Sequence, residues 1–378
     1  MKIVLFDWTA GGHHARYARK FAEALGRIGK VVLAIPDEMV DSVKDLPVEV
    51  FPLGKARPNL DMTRSLARQN RELAYVELDL FEKVARQIQP DHLIHLYADP
   101  VIRRLVKRSS LNVPTTLCIF FPRAHYPSVY NSPLNPKERL RAWFLEYLVT
   151  SWRRRSDAHA VFTLDEEAAH RWSSMSGVPA FWFPEPPIEK LQVLPEADDR
   201  SGCVVYGALA PRKGIDLLAR AIALEPNSLR VVLAGPIESG FENMLGQHVM
   251  DMERAGAKIE LRTYMHQEQE GLAVLARARC AVLPYPRHYT TSRVLVEACS
   301  VGTPVIAHDY GLLGYLVKRY HLGIAVNCNN SIELRRSLLT LCEETNGDKT
   351  YGDALALFAG KFTKTVFDGA VTSPFSNS

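Results

Sequence analysis

The sequence predicts an α/β protein with two doubly wound parallel-sheet domains, and three observations support this prediction. Short apolar runs alternate with longer segments of helical periodicity almost from one end of the chain to the other. The short runs are apolar at consecutive positions, which is typical of parallel strands that are covered on both faces. The chain has 378 residues, enough for two domains at roughly 100–200 residues each.

The first domain is predicted to begin with a strand and to alternate strands with helices. Its predicted strands are the apolar runs at residues 3–6, 31–35, 92–96, 115–121 and 158–163. Helices are expected at residues 15–27 and 63–88, where Leu and Ala recur at helical spacing among Arg and Glu. Such alternation places the helices on the two faces of a parallel sheet.

The second domain repeats the pattern. Its predicted strands are residues 203–206, 229–234, 258–261, 280–283 and 303–307. Its predicted helices are residues 214–224, 268–277, 293–300 and 331–343. Each series is long enough to form a sheet of its own.

The boundary between the domains is predicted at a proline-rich and polar stretch. Residues 183–187 carry three prolines, which lack the amide donor that a helix interior or a central strand requires, and residues 196–202 are polar. We therefore expect a first domain at 1–183, a linker at 184–202 and a second domain at 203–350. Residues 351–378 are expected to form a C-terminal helix and tail that can cross back to the first domain.

Composition narrows the class of protein. The net charge of +4 is too small to indicate a nucleic-acid partner, and no apolar run approaches the ~18 residues of a membrane span. The N-terminus reaches Asp7 after four apolar residues, too few for a signal peptide. The six cysteines have no paired metal-ligand spacing. We expect a cytoplasmic protein with no metal and no cofactor.

The first candidate site is the turn after the first strand. Gly11 and Gly12 lie between that strand and a helix, and ligands of parallel sheets bind outside the carboxyl ends of the strands. Glycines there allow the backbone to approach a ligand closely. The alternative is a tight turn that needs glycine for its geometry alone.

The second candidate is the pair Arg212 and Lys213, which lies where the second domain's first strand leads into a helix. Cations are disfavoured at a helix N-terminus unless an anion is bound there, so the pair indicates a phosphoryl group. The alternative is a solvated helix start.

The third candidate is the segment from Thr290 to Glu297. Thr290, Thr291 and Ser292 are typical N-cap residues, and the amides behind them can bind an anion. Glu297 lies more than one turn into the helix, where its carboxylate could accept both hydroxyls of a ribose. An ordinary capped helix with a solvated Glu is the alternative.

Together these elements resemble the nucleotide-sugar site of the GT-B glycosyltransferases of family 4, also called group 1. The similar features are Gly207 followed by Lys213-Gly214, and Glu297 as the second acid of a Glu-x7-Glu helix. The small-residue turn and Pro-Val-Ile strand at 302–306 follow in the family's manner. The resemblance extends through motifs over residues 203–345, and before that only through architecture. It implies two Rossmann-like domains facing a cleft.

The resemblance also implies roles for residues of this chain. Gly11 and Gly12 match the turn that faces the donor diphosphate, Arg212 and Lys213 would stabilise it, and His125 falls where relatives place a histidine near the reacting sugar. A structural role is the alternative for His125. Two positions depart from the family, because Tyr289 replaces the first Glu and Ala208 replaces an Arg. The missing acid puts sugar identity and turnover in question.

A basic aromatic helix is predicted at residues 137–155. Leu140, Trp143, Phe144, Tyr147 and Leu148 share one helical face, and the window carries a net charge of +4, including Arg153, Arg154 and Arg155. Packing of this face in the first domain is favoured, and contact with an anionic membrane is the alternative.

These observations predict a retaining, metal-independent glycosyltransferase. It would move a sugar from a nucleotide diphosphate to a glycan, lipid-linked or small-molecule acceptor. Two alternatives stay open, a nucleotide-sugar epimerase on the same fold and a degenerate, non-catalytic partner subunit.

Overall fold

The computed structural model describes residues 1–11, 13–58, 65–188, 191, 194–195, 199–226, 228–263, 268–343 and 347–376. The chain forms two compact units. Unit 1 comprises residues Met1–His125, Leu134–Pro186 and Lys364–Ser378, and unit 2 comprises Tyr126–Pro133 and Pro187–Thr363. Each unit contains one parallel β-sheet. The prediction of two parallel-sheet α/β domains is therefore confirmed.

Unit 1 contains a seven-stranded sheet in the order β3-β2-β1-β4-β5-β6-β7. Its strands are β1 (Lys2–Phe6), β2 (Lys30–Ile35), β3 (Glu49–Pro52), β4 (His92–His95), β5 (Thr115–Cys118), β6 (Ala158–Thr163) and β7 (Ala180–Trp182). Its helices are α1 (His14–Leu25), α2 (Asp37–Val40), α3 (Leu66–Ile88), α4 (Ile102–Leu105), α6 (Pro136–Trp152), α7 (Glu166–Ser173) and α15 (Lys364–Thr372). The order reverses at β1, so the carboxyl end of β1 lies at the switch point where ligands bind.

Unit 2 contains a six-stranded sheet in the order β10-β9-β8-β11-β12-β13. Its strands are β8 (Cys203–Tyr206), β9 (Arg230–Ala234), β10 (Lys258–Arg262), β11 (Cys280–Leu283), β12 (Val305–His308) and β13 (Gly323–Val326). Its helices are α5 (Tyr126–Val129), α8 (Ile215–Ile222), α9 (Glu242–Arg254), α10 (Glu268–Ala276), α11 (Arg293–Ser300), α12 (Gly311–Tyr320), α13 (Ser331–Glu343) and α14 (Gly347–Gly360). Strands β8 and β11 lie side by side at the centre, so the turns that follow them are neighbours.

Apolar burial on both faces of each sheet explains why these segments fold as they do. In unit 1, Val4 and Phe6 pack with α3 on one face, while Ile3 and Leu5 pack with α1 and α15 on the other. Unit 2 divides its core in the same way between two clusters. The central strands therefore read as continuous apolar runs, which is why the sequence predicts them.

The observed units differ from the predicted boundaries in two places. Residues Tyr126–Pro133 cluster with unit 2 instead of the first domain, and the C-terminal region divides at residue 363 instead of 350. The last helix, α15, packs on unit 1, where Phe367 contacts Phe21 edge-to-face and Asp368 pairs with Arg27 at 2.7 Å. Part of the predicted linker, at 189–190, 192–193 and 196–198, lies outside the described residues.

Candidate functional site

The segment that follows β8 forms the centre of the candidate site in unit 2. Pro211–Lys213 make one 3₁₀ turn, and Gly214 has φ 65° at the start of α8. A Cβ at Gly214 would lie 2.2 Å from the carbonyl oxygen of Pro284, so a side chain is excluded twice, by sterics and by backbone conformation. Gly214 therefore holds Lys213 against the segment that follows β11.

The ammonium group of Lys213 lies beside Gly207 and the first turn of helix α11. Its Nζ donates a hydrogen bond to Tyr285 Oη at 2.9 Å and lies 4.4 Å from the centre of that ring. Gly207 has φ 96°, and a Cβ there would lie 3.4 Å from Lys213 Nζ and 3.7 Å from Val294 Cγ2. Glycine at this position therefore places no side chain against the ammonium group or the first turn of α11.

Arg212 points into a different environment. Its side chain is exposed and forms an ion pair with Glu238, whereas Lys213 is half-buried. Lys213 is therefore the more buried of the two cations. Since Glu238 compensates Arg212, Lys213 is the cation that the structure places beside Gly207.

The start of α11 provides main-chain donors rather than hydroxyl caps. Ser292 is the N-cap residue, as its residue type predicts, and has extended backbone, but its side chain makes no capping hydrogen bond. Thr291 and Ser292 are buried, and Thr290 Oγ1 lies 3.2 Å from His288 Nε2. Burial, with the nearby charge of Lys213, lowers the pKa of His288 to about 4, so this imidazole is neutral at pH 7.

Glu297 is buried on α11 and is not a solvated residue. Its Oε1 accepts a hydrogen bond from Arg293 Nε at 2.8 Å, one helical turn earlier. This ion pair holds the carboxylate in one orientation and reduces the cost of burying its charge.

Tyr289, which replaces the family's first Glu, belongs to a group of tyrosines in unit 2. Its carbonyl oxygen accepts a hydrogen bond from Tyr126 Oη at 2.7 Å, and its ring lies 6.1 Å from that of Tyr310. The amide of Gly311 donates to Ser132 Oγ at 2.7 Å. Segment Tyr126–Pro133 therefore fixes the main chain around position 289.

The turn after β1 in unit 1 is open at Gly11. This residue has φ 85°, and a Cβ built on it meets nothing within 4 Å. Gly12 lies outside the described residues. Glycine at position 11 is thus required by backbone conformation and not by a close neighbour.

A carboxylate–imidazole pair, which was not among the predicted site residues, lies next to this turn. Asp7 Oδ2 lies 2.8 Å from His14 Nδ1, and Asp7 Oδ1 accepts from the Thr9 amide at 2.9 Å. Asp7 is buried, whereas His14 is partly exposed and packs edge-to-face against Tyr97 at 5.2 Å. An acid directly after a strand, with a histidine in the next helix's first turn, is the sequence signal that could have found it.

Further charged groups lie buried behind this pair. Glu77 forms an ion pair with Arg57 and lies 3.5 Å from His95 Nε2. Burial raises the pKa of Glu77 to about 7 although Arg57 opposes this, and Asp7 adds to the increase. Burial also lowers the pKa of His95 to about 3.

His125 lies in a buried pair in unit 1. Its Nε2 is 3.0 Å from Asp165 Oδ2, and Asp165 Oδ1 caps helix α7 by accepting from the Ala168 amide. Both side chains are almost fully buried. This geometry accounts for a packing role, so the proposed contact of His125 with the sugar stays a prediction.

Helix α6 exposes most of the aromatic face that was predicted to pack in the first domain. Leu140, Trp143 and Tyr147 are 65%, 59% and 56% exposed, whereas Ala142, Val149 and Trp152 are buried. Packing of the face in the first domain is therefore wrong for these three residues. The helix turns a different face to the sheet, and this face includes Val149 and Trp152.

The three arginines that follow α6 point back to the protein. Arg153 is buried, and its Nε donates to the Val178 carbonyl at 2.6 Å. Arg154 donates to Ser176, and Arg155 pairs with Asp157. Arg153 and Arg155 are therefore held by the protein, whereas Arg154 is exposed, and the membrane role of the three arginines stays a prediction.

The two parallel-sheet units give the chain the GT-B fold. Residues 188–354 match the family described as glycosyl transferases group 1, which confirms the resemblance for this part of the chain.

Solved structures show the same fold over the whole chain. HepE of Anabaena, in complex with UDP, has a TM-score of 0.68 at 17% identity and covers 100% of both chains. Sucrose-phosphate synthase of Thermosynechococcus elongatus has a TM-score of 0.70 at 17% identity and covers 100% of this chain and 98% of its own.

Sequence relatives match about half of the chain. An uncharacterized glycosyltransferase of Methanocaldococcus jannaschii is 28% identical over 180 residues, which is 47% of this chain and 48% of that protein. A D-inositol 3-phosphate glycosyltransferase of Jonesia denitrificans is 28% identical over 183 residues, which is 45% of this chain and 42% of that protein. The chain therefore matches about half the length of these relatives.

Proposed function

We propose that the protein transfers a sugar from a nucleotide diphosphate donor to a hydroxyl acceptor, with retention of configuration and without a metal ion. The observation that carries this proposal is the position of Gly207, where a Cβ would lie 3.4 Å from Lys213 Nζ and 3.7 Å from Val294 Cγ2 in the first turn of α11. A fixed cation and helix amides facing one space suit the two phosphates of a donor.

The chemistry follows from the charge that develops as the glycosidic bond breaks. The leaving diphosphate gains negative charge, and Lys213 stabilises it because Tyr285 and Gly214 already hold the ammonium group in place. Amides at the start of α11 add donors. The leaving phosphate oxygen takes the acceptor's proton on the same face of the sugar. Glu297, oriented by Arg293, accepts hydrogen bonds from the donor's ribose hydroxyls.

Asp7 and His14 of unit 1 are suited to hold the acceptor. Because the Asp7 carboxylate can only accept, His14 Nδ1 carries the proton of their hydrogen bond, and Nε2 of a neutral ring is an acceptor. A partly exposed imidazole next to the open turn at Gly11 can accept from a sugar or lipid-linked hydroxyl.

A panel of nucleotide sugars tests the transferase function. UDP-sugars come first, since the HepE structure contains UDP, followed by GDP- and ADP-sugars. Release of nucleotide is measured with and without acceptor alcohols and glycosides. We expect Lys213→Ala to lower kcat by about 10²–10³-fold, as removal of one preorganised donor does in other enzymes.

Lys258→Ala is the matched control, because Lys258 is exposed at the start of β10, the opposite end of the sheet. Equal turnover in the two variants would contradict the role of Lys213.

Tyr289 favours a second candidate, a non-catalytic subunit that stabilises an active partner. Its ring occupies the position of the family's first acid and packs among tyrosines instead of offering a carboxylate. Nucleotide binding without turnover, with turnover gained only on addition of a partner, would support this candidate. Donor epimerisation without acceptor would support the epimerase.

We further propose that helix α6 attaches the protein to an anionic membrane surface. Trp143 and Tyr147 are exposed and stacked at 6.0 Å, and Trp and Tyr are the side chains that bilayer interfaces favour. Lys137, Arg139 and Arg141 are exposed on the same helix and can attract acidic lipids. None of the helices in the described part of the chain is long and apolar enough to cross a membrane.

Co-sedimentation with phosphatidylglycerol vesicles tests this attachment, with phosphatidylcholine vesicles for comparison. We expect binding to the anionic vesicles that falls at high salt, and loss of binding in Trp143→Ser/Tyr147→Ser. The control is Ile332→Ser, at a large exposed apolar residue of unit 2. Absence of binding by the unaltered protein at any salt concentration would refute the proposal.

A further inference from the structure

Three cysteines of unit 2 lie together where the central strands of the sheet begin. Cys203 and Cys280 are the first residues of β8 and β11 and stand opposite each other in the strand register. Cys342 lies near the end of α13, and its Sγ is 3.7 Å from that of Cys280. The sequence positions alone do not predict this cluster, because the third thiol comes from a helix 62 residues after the second.

The three thiols differ in environment. Cys203 and Cys280 are fully buried, whereas Cys342 is partly exposed. Hydrogen bonds donated by the thiols of Cys203 and Cys280, and the charge of Arg279, lower the pKa of Cys342. Interaction with Cys342, together with burial, raises the pKa of Cys203 and of Cys280 well above the ordinary value of a thiol. Reactive thiols in proteins are partly exposed and lie near positive charge, and Cys342 meets both conditions.

We propose that Cys342 and Cys280 form a peroxide-reactive site that closes to a reversible disulfide. The Cys342 thiolate attacks hydrogen peroxide, so that an S–O bond forms, the O–O bond breaks and hydroxide leaves. The sulfur is oxidised to a sulfenic acid and the peroxide is reduced. Cys280 then attacks this sulfur, the S–S bond forms, and the hydroxyl group leaves as water with the proton of Cys280.

The geometry permits the second step with a small movement. An S–S bond of about 2.05 Å requires the sulfurs to approach by less than 2 Å from their present separation. Only α13 needs to shift, because Cys280 is held in a central strand between β8 and β12. The disulfide would fasten α13 to the core of unit 2 and stabilise the unit against unfolding.

The cysteines lie at the amino ends of the strands, and the candidate donor site lies at the carboxyl ends. Cys203 and Cys280 begin their strands, whereas Gly207 and Pro284 follow the ends of the same strands, about 13 Å away at ~3.3 Å per residue. Oxidation is therefore expected to leave nucleotide binding unchanged, and its test does not depend on the transferase function.

Intact-mass and peptide mass spectrometry of the full-length protein after treatment with hydrogen peroxide test the proposal. We expect loss of two hydrogen atoms, a crosslinked Cys280–Cys342 peptide, and reversal by dithiothreitol. Iodoacetamide should label Cys342 at least about tenfold faster than buried Cys299, whose thiol has a pKa raised by burial.

Single substitutions separate the roles of the two thiols. In Cys280→Ser, Cys342 should gain oxygen atoms instead of forming the crosslink, and in Cys342→Ser peroxide should leave the Cys280 peptide unchanged. Cys328→Ser, at a buried thiol elsewhere in unit 2, is the control and should behave as the unaltered protein does. A Cys203–Cys342 crosslink, or no crosslink with equal labelling of Cys342 and Cys299, would overturn the proposal.

Discussion

Replacement of Gly214 by alanine tests how the lysine of the candidate donor site is held. The residue has φ 65°, which costs an alanine about 1–2 kcal/mol, and its new Cβ would lie 2.2 Å from the Pro284 carbonyl oxygen. Relief of that overlap requires a backbone shift, for which about 1–3 kcal/mol is typical. We therefore expect Gly214→Ala to lower the free energy of unfolding of unit 2 by roughly 2–5 kcal/mol and to weaken donor binding.

Gly240→Ala is the matched control for the backbone strain alone. Gly240 also belongs to unit 2 and has φ 85°, but a Cβ there meets nothing within 4 Å. Its substitution should cost only about 1–2 kcal/mol and leave donor binding intact.

Urea unfolding followed by far-UV circular dichroism measures both variants. All five tryptophans lie in unit 1, so their fluorescence reports the unfolding of that unit separately. Equal destabilisation by the two substitutions would refute the argument, because it would show that the close approach to Pro284 has no energetic consequence.

Three further predictions concern buried charges of the two units. The pKa of Glu77 is raised from 4.5 to about 7, so its contribution to stability is present below pH 4.5 and is lost as the pH rises through 7. Between pH 4.5 and 8, the free energy of unfolding of Glu77→Gln should therefore rise by about 3 kcal/mol relative to that of the unaltered protein, as measured by urea titrations. A difference between the two proteins that does not change with pH would contradict the raised pKa of Glu77. Glu297→Gln should weaken binding of a ribonucleotide diphosphate by about 1.5–3 kcal/mol in calorimetry but affect a deoxyribose analogue less, and equal losses would exclude ribose contact. Arg153→Met should lower the unfolding midpoint of unit 1, since two partly buried carbonyls lose their donor. Arg154→Met, at an exposed position, is the control, and equal midpoints would refute the structural role.

The sequence predicted the central strands well because burial on both faces leaves a continuous apolar run. Strands β6, β8 and β11 have the predicted bounds, and the other predicted strands agree within a few residues. The missed strands are β3, β7 and β13, which lie at sheet edges and are only partly buried. An edge strand packs less apolar surface and can contain proline, as β3 does at Pro52, so its sequence resembles that of a loop.

Candidate residues were predictable where a local turn determines them, and not where distant segments meet. Lys213 and Gly214 are adjacent in the chain, and their place at a helix start after a strand makes them candidates from the sequence alone. The hydrogen bond from Lys213 to Tyr285 and the pairing of Arg212 with Glu238 join residues 72 and 26 positions apart. No periodicity or spacing encodes such contacts, since they depend on which strands become neighbours.

Helix α6 shows most clearly what only tertiary structure decides. Its periodicity determines that Leu140, Trp143 and Tyr147 share one face, because 3.6 residues per turn fix their relative directions. Which face packs depends on the rotation of the helix about its axis, and contacts of Ala142, Val149 and Trp152 with the rest of unit 1 set that rotation. An apolar stripe on a helix is equally compatible with a core and with a surface. The sequence determined the stripe, and only the packing of the other face exposed it.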